Sequence, residues 1–93
     1  MITLLYVDDE PTLLERTRQY MEQAGYCVDT AGSSAEALLL TRKNSYDVII
    51  SDYLMPETDG IGLLQEIRKS GIRTPFIILV GKNQEDVAVS ALR

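Results

Sequence analysis

The stretch Val48–Pro56, which reads VIISDYLMP, decides the fold of this chain. Its first residues form a short β-branched apolar run, which predicts a strand buried on both faces of a sheet. The run stops at Asp52, and the proline four residues later predicts a turn, so this carboxylate stands at the carboxyl end of a central strand. Open α/β sheets bind their ligands at that edge, which makes Asp52 a candidate site residue.

The beginning of the chain repeats this arrangement. The apolar run Ile2–Val7 ends directly in Asp8, Asp9 and Glu10. Two strands therefore deliver acidic residues to the same edge of the predicted sheet. If these strands are neighbours, their ends lie about 4.8 Å apart, and we expect Asp8, Asp9 and Asp52 to converge.

Helical and strand-like patterns alternate along the rest of the chain. Helices are predicted over 11–24 and 33–43, from Asp59–Gly60 to just before Gly71, and from Asn83 onwards. Strands are predicted at 26–31, with one wetter face as at a sheet edge, and at 76–80, where the run is apolar throughout. The third helix is expected to bury Ile61, Leu64 and Ile67.

This alternation predicts an α/β fold, because each parallel crossover needs a helix. We expect a single domain over residues 1–93 with a doubly wound parallel sheet between two helical layers. The expected strand order 2-1-3-4 is that of the flavodoxin-like arrangement and does not follow from the alternation itself. The last helical pattern is still periodic at Arg93. A fifth strand and helix are therefore expected beyond this sequence or from a partner.

The composition excludes several classes of function. Nine Lys plus Arg against 14 Asp plus Glu give a net charge of -5, without a basic block for nucleic acid or an anionic membrane. The first ten residues lack the basic region of a signal peptide, and no stretch resembles a membrane span. The single Cys27 excludes an internal disulfide and suits a reducing cytoplasm. The sequence contains no histidine, and this argues against three kinds of site that normally need an imidazole. They are serine or cysteine triads, catalytic zinc sites and phosphohistidine sites.

Carboxylates remain as the candidate groups for catalysis or metal binding. Unit charges about 4 Å apart repel by roughly 4 kcal/mol at an effective dielectric of about 20, so three gathered acids need a raised pKa or a cation. Mg²⁺ takes octahedral oxygen ligands and is usually held by one or two carboxylates plus a phosphate oxygen. The sequence therefore predicts a site for Mg²⁺ (or Mn²⁺).

Four motifs in order resemble the receiver domain of two-component response regulators, with its chemotaxis-response-regulator-like fold. They are LLYVDDEP at 4–11, DYLMP at 52–56, Asp59–Gly60 and TPFIIL at 74–79. The similarity covers the whole chain. It implies that Asp52 receives a phosphoryl group from a sensor histidine kinase or a phosphotransfer protein in a Mg²⁺-dependent reaction. It further implies a cytoplasmic regulatory domain, not an enzyme acting on separate substrates, which switches an output surface, self-association or an attached module.

The resemblance also implies roles for individual residues at the metal. Asp9, Asp52 and the backbone carbonyl of Leu54 would hold the metal directly. Asp8 would act through a metal-bound water. A carboxylate is a recognised covalent nucleophile, and a divalent cation offsets the charge that develops on phosphoryl oxygens.

Val80 departs from the family's pattern. The family usually has Thr or Ser at this position, and its hydroxyl bonds the phosphoryl group. A hydrogen bond to a charged group is worth roughly 1.5–3 kcal/mol, so either the switch is weak or another group takes over. The backbone N–H of Gly81 is expected to contact the phosphoryl group. The family's lysine at the end of the fifth strand lies beyond Arg93.

Three alternatives follow from the residues. Val80 motivates a pseudo-receiver, an interaction domain that signals without phosphorylation. A haloacid dehalogenase-like phosphohydrolase would use an aspartyl nucleophile, but such enzymes have another Asp two positions later, where this chain has Leu54. A bare magnesium-binding protein or a flavodoxin-like electron carrier is disfavoured, because the acids after the first strand would repel the phosphate of FMN.

Overall fold

The computed structural model describes residues 1–80 of the chain. Strands and helices alternate along them as β1 (Thr3–Val7), α1 (Pro11–Gln23), β2 (Cys27–Ala31), α2 (Ser34–Lys43), β3 (Val48–Asp52), α3 (Gly60–Lys69) and β4 (Phe76–Leu79). These bounds confirm the predicted elements to within one or two residues. The fourth helix, predicted from Asn83, lies outside the described residues.

All four strands pair in parallel, in the order β2-β1-β3-β4. This confirms the predicted flavodoxin-like sheet and places β2 at an edge. The pairing of β1 with β3 ends where Val7 lies beside Ser51. Because parallel strands keep their register, the next residues along, Asp8 and Asp52, become neighbours at the carboxyl edge.

Alternation along the strands divides the core between the two faces of the sheet. Leu5, Val7 and Ile49 face α2 and α3, where they pack against Ala37, Leu63 and Ile67. The opposite face, with Leu4, Tyr6 and Val28, packs against α1 through Leu14 and Met21. Asp8 directly follows β1 and stands two residues after Tyr6, so both share the face of the sheet that α1 covers.

The predicted burial of α3 was wrong in one detail. On α3, Ile61 and Ile67 are buried as expected, but Leu63 is the fully buried leucine and Leu64 is half-buried. Residues 63 and 67 stand one turn apart and form the line that meets the sheet. β4 is apolar throughout, as expected, and among residues 1–80 its Ile77 and Leu79 remain 48% and 44% exposed. Its covered face is the one where Ile78 packs against α3.

Candidate functional site

The connection from β3 to α3 is held close to the carboxyl edge of the sheet. Asp59 caps α3 by accepting a hydrogen bond from the backbone N–H of Gly62 at 2.8 Å, and the N–H of Gly60 donates to the carbonyl of Tyr53 at 2.8 Å. A Cβ on Gly60 would lie 2.7 Å from the backbone oxygen of Asp52. Only glycine therefore allows the start of α3 to lie against the end of β3, which explains the Asp59–Gly60 pair in physical terms.

The three predicted acids converge at this edge. Carboxylate oxygens of Asp8, Asp9 and Asp52 all lie within 4.8 Å of one another. Asp8 is buried, Asp52 is half-buried and Asp9 is exposed. The structure thus brings together one acid from the end of β3 and two from the segment after β1, and the acceptor candidate, Asp52, remains partly exposed.

Among the described residues, the side chain of Asp8 has the most hydrogen bonds of the three acids. Its Oδ2 accepts a hydrogen bond from the hydroxyl of Tyr6 at 3.2 Å, and its Oδ1 accepts one from the backbone N–H of Glu10 at 3.0 Å. Its own backbone N–H donates to the carbonyl of Ala31 at 3.1 Å, which continues the pairing of β1 with β2. Both oxygens of this carboxylate are therefore fixed in direction.

The electrostatics of the site follow from this crowding. Burial raises the pKa of the Asp52 carboxyl, and the negative charges of Asp8 and Asp9 raise it further, against the backbone N–H groups of Tyr53 and Leu54, which lower it. Burial likewise raises the pKa of the Tyr6 phenol, and Asp8 and Asp52 add to that shift. The phenol therefore stays protonated at neutral pH and acts as a donor toward Asp8.

The donor set fits a hard divalent cation. Ligands on opposite sides of a Mg²⁺ ion are separated by roughly 4.1 Å, twice the usual bond length. Three carboxylates whose oxygens lie within 4.8 Å match that scale, and a cation would relieve the repulsion that raises the pKa of Asp52. Leu54, whose carbonyl is the other predicted ligand, lies in the β3–α3 connection with an exposed side chain. Its role stays a prediction.

Val80 lies at the end of β4, next to this edge. β4 pairs with β3 so that Leu79 lies beside Asp52, and Val80 follows it. The half-buried Val80 packs with Ile78 against the buried side chains of Tyr53 and Ile61. Its contacts are apolar, and its part in phosphate binding stays a prediction. Gly81, the other predicted phosphate contact, lies outside the described residues.

Sequence reasoning missed a contact that anchors the β3–α3 connection. The hydroxyl of the buried Ser34, at the start of α2, donates to the carbonyl of Thr58 at 3.0 Å. A cavity of about 110 Å³ lies beside this contact and is lined by residues 32–34 and 55–58. No local sequence pattern predicts this contact, because it joins residues 24 positions apart.

A parallel sheet in this order, with three acids at its carboxyl edge, defines a flavodoxin-like α/β domain with an acidic site where such sheets bind their ligands. The family model of the response regulator receiver domain matches residues 4–93, and the chain belongs to this family. Response regulator receiver domains bind Mg²⁺ at an acidic pocket and interact with histidine kinases or phosphotransfer proteins. Among residues 1–80, no helix is long and apolar enough to cross a membrane.

Individual relatives agree with this assignment. The chain is 37% identical over 92 residues to the response regulator SaeR of Staphylococcus aureus, an alignment that covers 99% of this chain and 40% of SaeR. It thus spans about two fifths of the length of that relative. A response regulator receiver domain protein from Clostridium thermocellum is 37% identical with a TM-score of 0.90, over 99% of this chain and 75% of that one.

A third relative was solved with a ligand. The response regulator TrrA from Thermotoga maritima, in complex with Mg²⁺–BeF, is 33% identical with a TM-score of 0.85, over 98% of this chain and 81% of that one. None of these similarities specifically supports the phosphorylation-independent alternative.

Proposed function

We propose that this receiver domain accepts a phosphoryl group on Asp52 from a sensor histidine kinase or a phosphotransfer protein, with Mg²⁺ or Mn²⁺ bound at the acidic edge. The observation that carries this proposal is the convergence of Asp8, Asp9 and Asp52, whose carboxylate oxygens lie within 4.8 Å of one another. Family membership supplies the reaction class. Without a cation, three carboxylates at this spacing repel one another and also the incoming phosphoryl group.

Each acid takes a distinct part in this proposal. A carboxylate oxygen of the half-buried Asp52 attacks phosphorus, the bond from phosphorus to the donor's imidazole nitrogen breaks, and an aspartyl phosphate forms. Asp9, Asp52 and the backbone carbonyl of Leu54 would hold the metal, which would offset the charge on the phosphoryl oxygens. Asp8, whose two oxygens already accept hydrogen bonds from Tyr6 and Glu10, would act through a metal-bound water.

Val80 lowers the response to phosphorylation but not the transfer itself. The acids that carry the transfer do not depend on a hydroxyl at position 80. The side chain of Val80 packs on Tyr53 and Ile61 and offers no donor to a phosphoryl group. The backbone N–H of Gly81 is the contact that we propose in its place. Phosphorylation adds about -1.5 to -2 charges at the sheet edge, and the weakened switch must respond to that charge.

The domain acts as a regulatory phosphoacceptor in the cytoplasm and not as an enzyme on separate substrates. It catalyses only transfer to Asp52 and hydrolysis from it. Its response passes to an output surface, to self-association or to an attached module. Direct contact with nucleic acid or membrane is not part of the proposal, because the net charge is -5.

The test is incubation of the purified protein with acetyl phosphate and Mg²⁺, followed by intact-mass measurement. We expect a mass gain of one phosphoryl group, its loss in EDTA, and its loss in Asp52→Asn. Asp59→Asn is the matched control, since asparagine caps a helix as well as aspartate and position 59 lies outside the acid cluster. No mass gain in the folded wild type, or an undiminished gain in Asp52→Asn, would refute the proposal. Hydrolysis of generic phosphate esters would support the phosphohydrolase instead.

A further inference from the structure

Tyr6 stands behind the acidic site and has no part in the proposal above. Tyr6 as a residue is 3% exposed, and Asp8, two residues later on the same face, is 2% exposed. Among the described residues, its hydroxyl is the side-chain donor to the Asp8 carboxylate, at 3.2 Å from Oδ2. A buried polar group needs such a partner, and here the partner is one of the three gathered acids.

We propose that Tyr6 is a positioning residue for the metal site, whose hydroxyl fixes the direction of the Asp8 carboxylate. This inference rests on the proposed role of Asp8 at the metal. The Glu10 N–H holds one oxygen of Asp8 and the Tyr6 hydroxyl holds the other. A carboxylate offers about four lone-pair sites, so Asp8 keeps acceptor capacity for a metal-bound water while its plane is fixed.

Two features of β1 make this arrangement possible. The period of two along a strand places Tyr6 and Asp8 on the face covered by α1, where the ring packs with Leu4, Val28 and Leu14. These contacts hold the ring, so the hydroxyl reaches Asp8 from a fixed position. Outer-shell groups such as Asp8 typically change metal affinity by about 10- to 100-fold when they are removed, and the Tyr6 hydroxyl, one step further from the metal, is expected at the lower end of that range.

A purely structural role for Tyr6 predicts a different outcome. In that case the ring fills the core and the hydroxyl merely satisfies a buried oxygen of Asp8. Tyr6→Phe would then lower stability and leave Mg²⁺ affinity unchanged. The positioning role predicts that Mg²⁺ affinity itself falls in the folded variant.

Tyr46→Phe provides a matched control. The hydroxyl of the half-buried Tyr46 also donates to an aspartate, Asp29 Oδ2, at 2.7 Å, and Asp29 lies outside the acid cluster. Both variants delete one tyrosine hydroxyl that bonds a carboxylate. They differ in whether that carboxylate belongs to the acidic site.

The experiment is a Mg²⁺ titration of the ¹⁵N-labelled protein, followed through its amide resonances. We expect Tyr6→Phe to bind Mg²⁺ roughly tenfold more weakly than the wild type, whereas Tyr46→Phe binds it equally well. The Glu10 amide, which donates to Asp8, should shift in metal-free Tyr6→Phe and stay in place in Tyr46→Phe. In the Asp8→Asn background, Tyr6→Phe should cause no further loss of affinity.

Equal affinity and an unmoved Glu10 amide in folded Tyr6→Phe would overturn the inference while leaving the proposed function intact. A wild type that binds no Mg²⁺ would overturn both. If Tyr6→Phe fails to fold, ring-labelled wild type decides: the Tyr6 ring resonances should follow the Mg²⁺ binding curve and those of Tyr46 should not. Tyr6 ring resonances whose chemical shifts do not change on addition of Mg²⁺ would likewise overturn the inference.

Discussion

Replacement of Gly60 with alanine tests whether close contact between α3 and β3 positions the acceptor. The added Cβ would lie 2.7 Å from the backbone oxygen of Asp52 and 3.3 Å from the Cα of Tyr53. Both are main-chain atoms, which cannot move aside as the end of a side chain can. Such overpacking costs about 1–3 kcal/mol, and the better helix propensity of alanine returns about 0.5–1 kcal/mol. We expect a net loss of about 1–2 kcal/mol in the free energy of unfolding.

The assay is urea unfolding in EDTA, followed by circular dichroism, together with the rate of phosphorylation by acetyl phosphate. The rate should fall because the displaced backbone carries the acceptor. Gly32→Ala is the control, since a Cβ there meets no heavy atom within 4 Å. Its stability should stay within about 0.5 kcal/mol of the wild type. A Gly60→Ala protein with wild-type stability and wild-type phosphorylation rate would refute the reasoning.

Three further predictions follow from named contacts. Because the pKa of Asp52 is raised on folding, this group favours the folded state fully below its unfolded pKa, and that contribution is lost as pH rises through its folded pKa. In EDTA at neutral pH, Asp52→Asn should therefore be more stable than the wild type in urea unfolding, and the difference should shrink toward acid pH. A difference that does not shrink would contradict this prediction. Ser34→Ala removes the hydrogen bond to Thr58 and should lower the free energy of unfolding by about 1 kcal/mol, seen as a fall in Tm of roughly 4–8 °C; an unchanged Tm would contradict it. Val80→Thr supplies a hydroxyl at the site and should enlarge the amide-resonance changes on adding beryllofluoride and Mg²⁺; a response no larger than that of the wild type would count against the role assigned to this position.

The fold was predictable from the sequence where it depends on local patterns of apolar and charged residues. The apolar runs that end in Asp8 and Asp52 predicted two strands and their shared edge, and the structure confirms both. The strand order was a different matter, because the patterns do not say which strands are neighbours. It came from the flavodoxin-like arrangement that the motifs resemble, and the structure confirms it.

Burial and side-chain partners were less predictable, because they depend on which face each element presents. Leu63 and Leu64 are chemically identical, and the choice between them depends on how α3 is rotated about its axis. The exposed Ile77 and Leu79 belong to a strand that looked apolar on both faces. Tyr6 could have been found from its spacing of two residues from Asp8, because that spacing places both on one face. The fifth strand and the contact from Gly81 stay predictions.

Direct mapping of the phosphoryl group tests the central claim most sharply. The protein is treated with acetyl phosphate and Mg²⁺, aspartyl phosphate is reduced to homoserine with borohydride, and the modified residue is located by peptide mass spectrometry. We predict homoserine at position 52, only when Mg²⁺ is present. Modification at another aspartate, or none in a folded protein that binds Mg²⁺, would contradict the assignment of Asp52 as the acceptor.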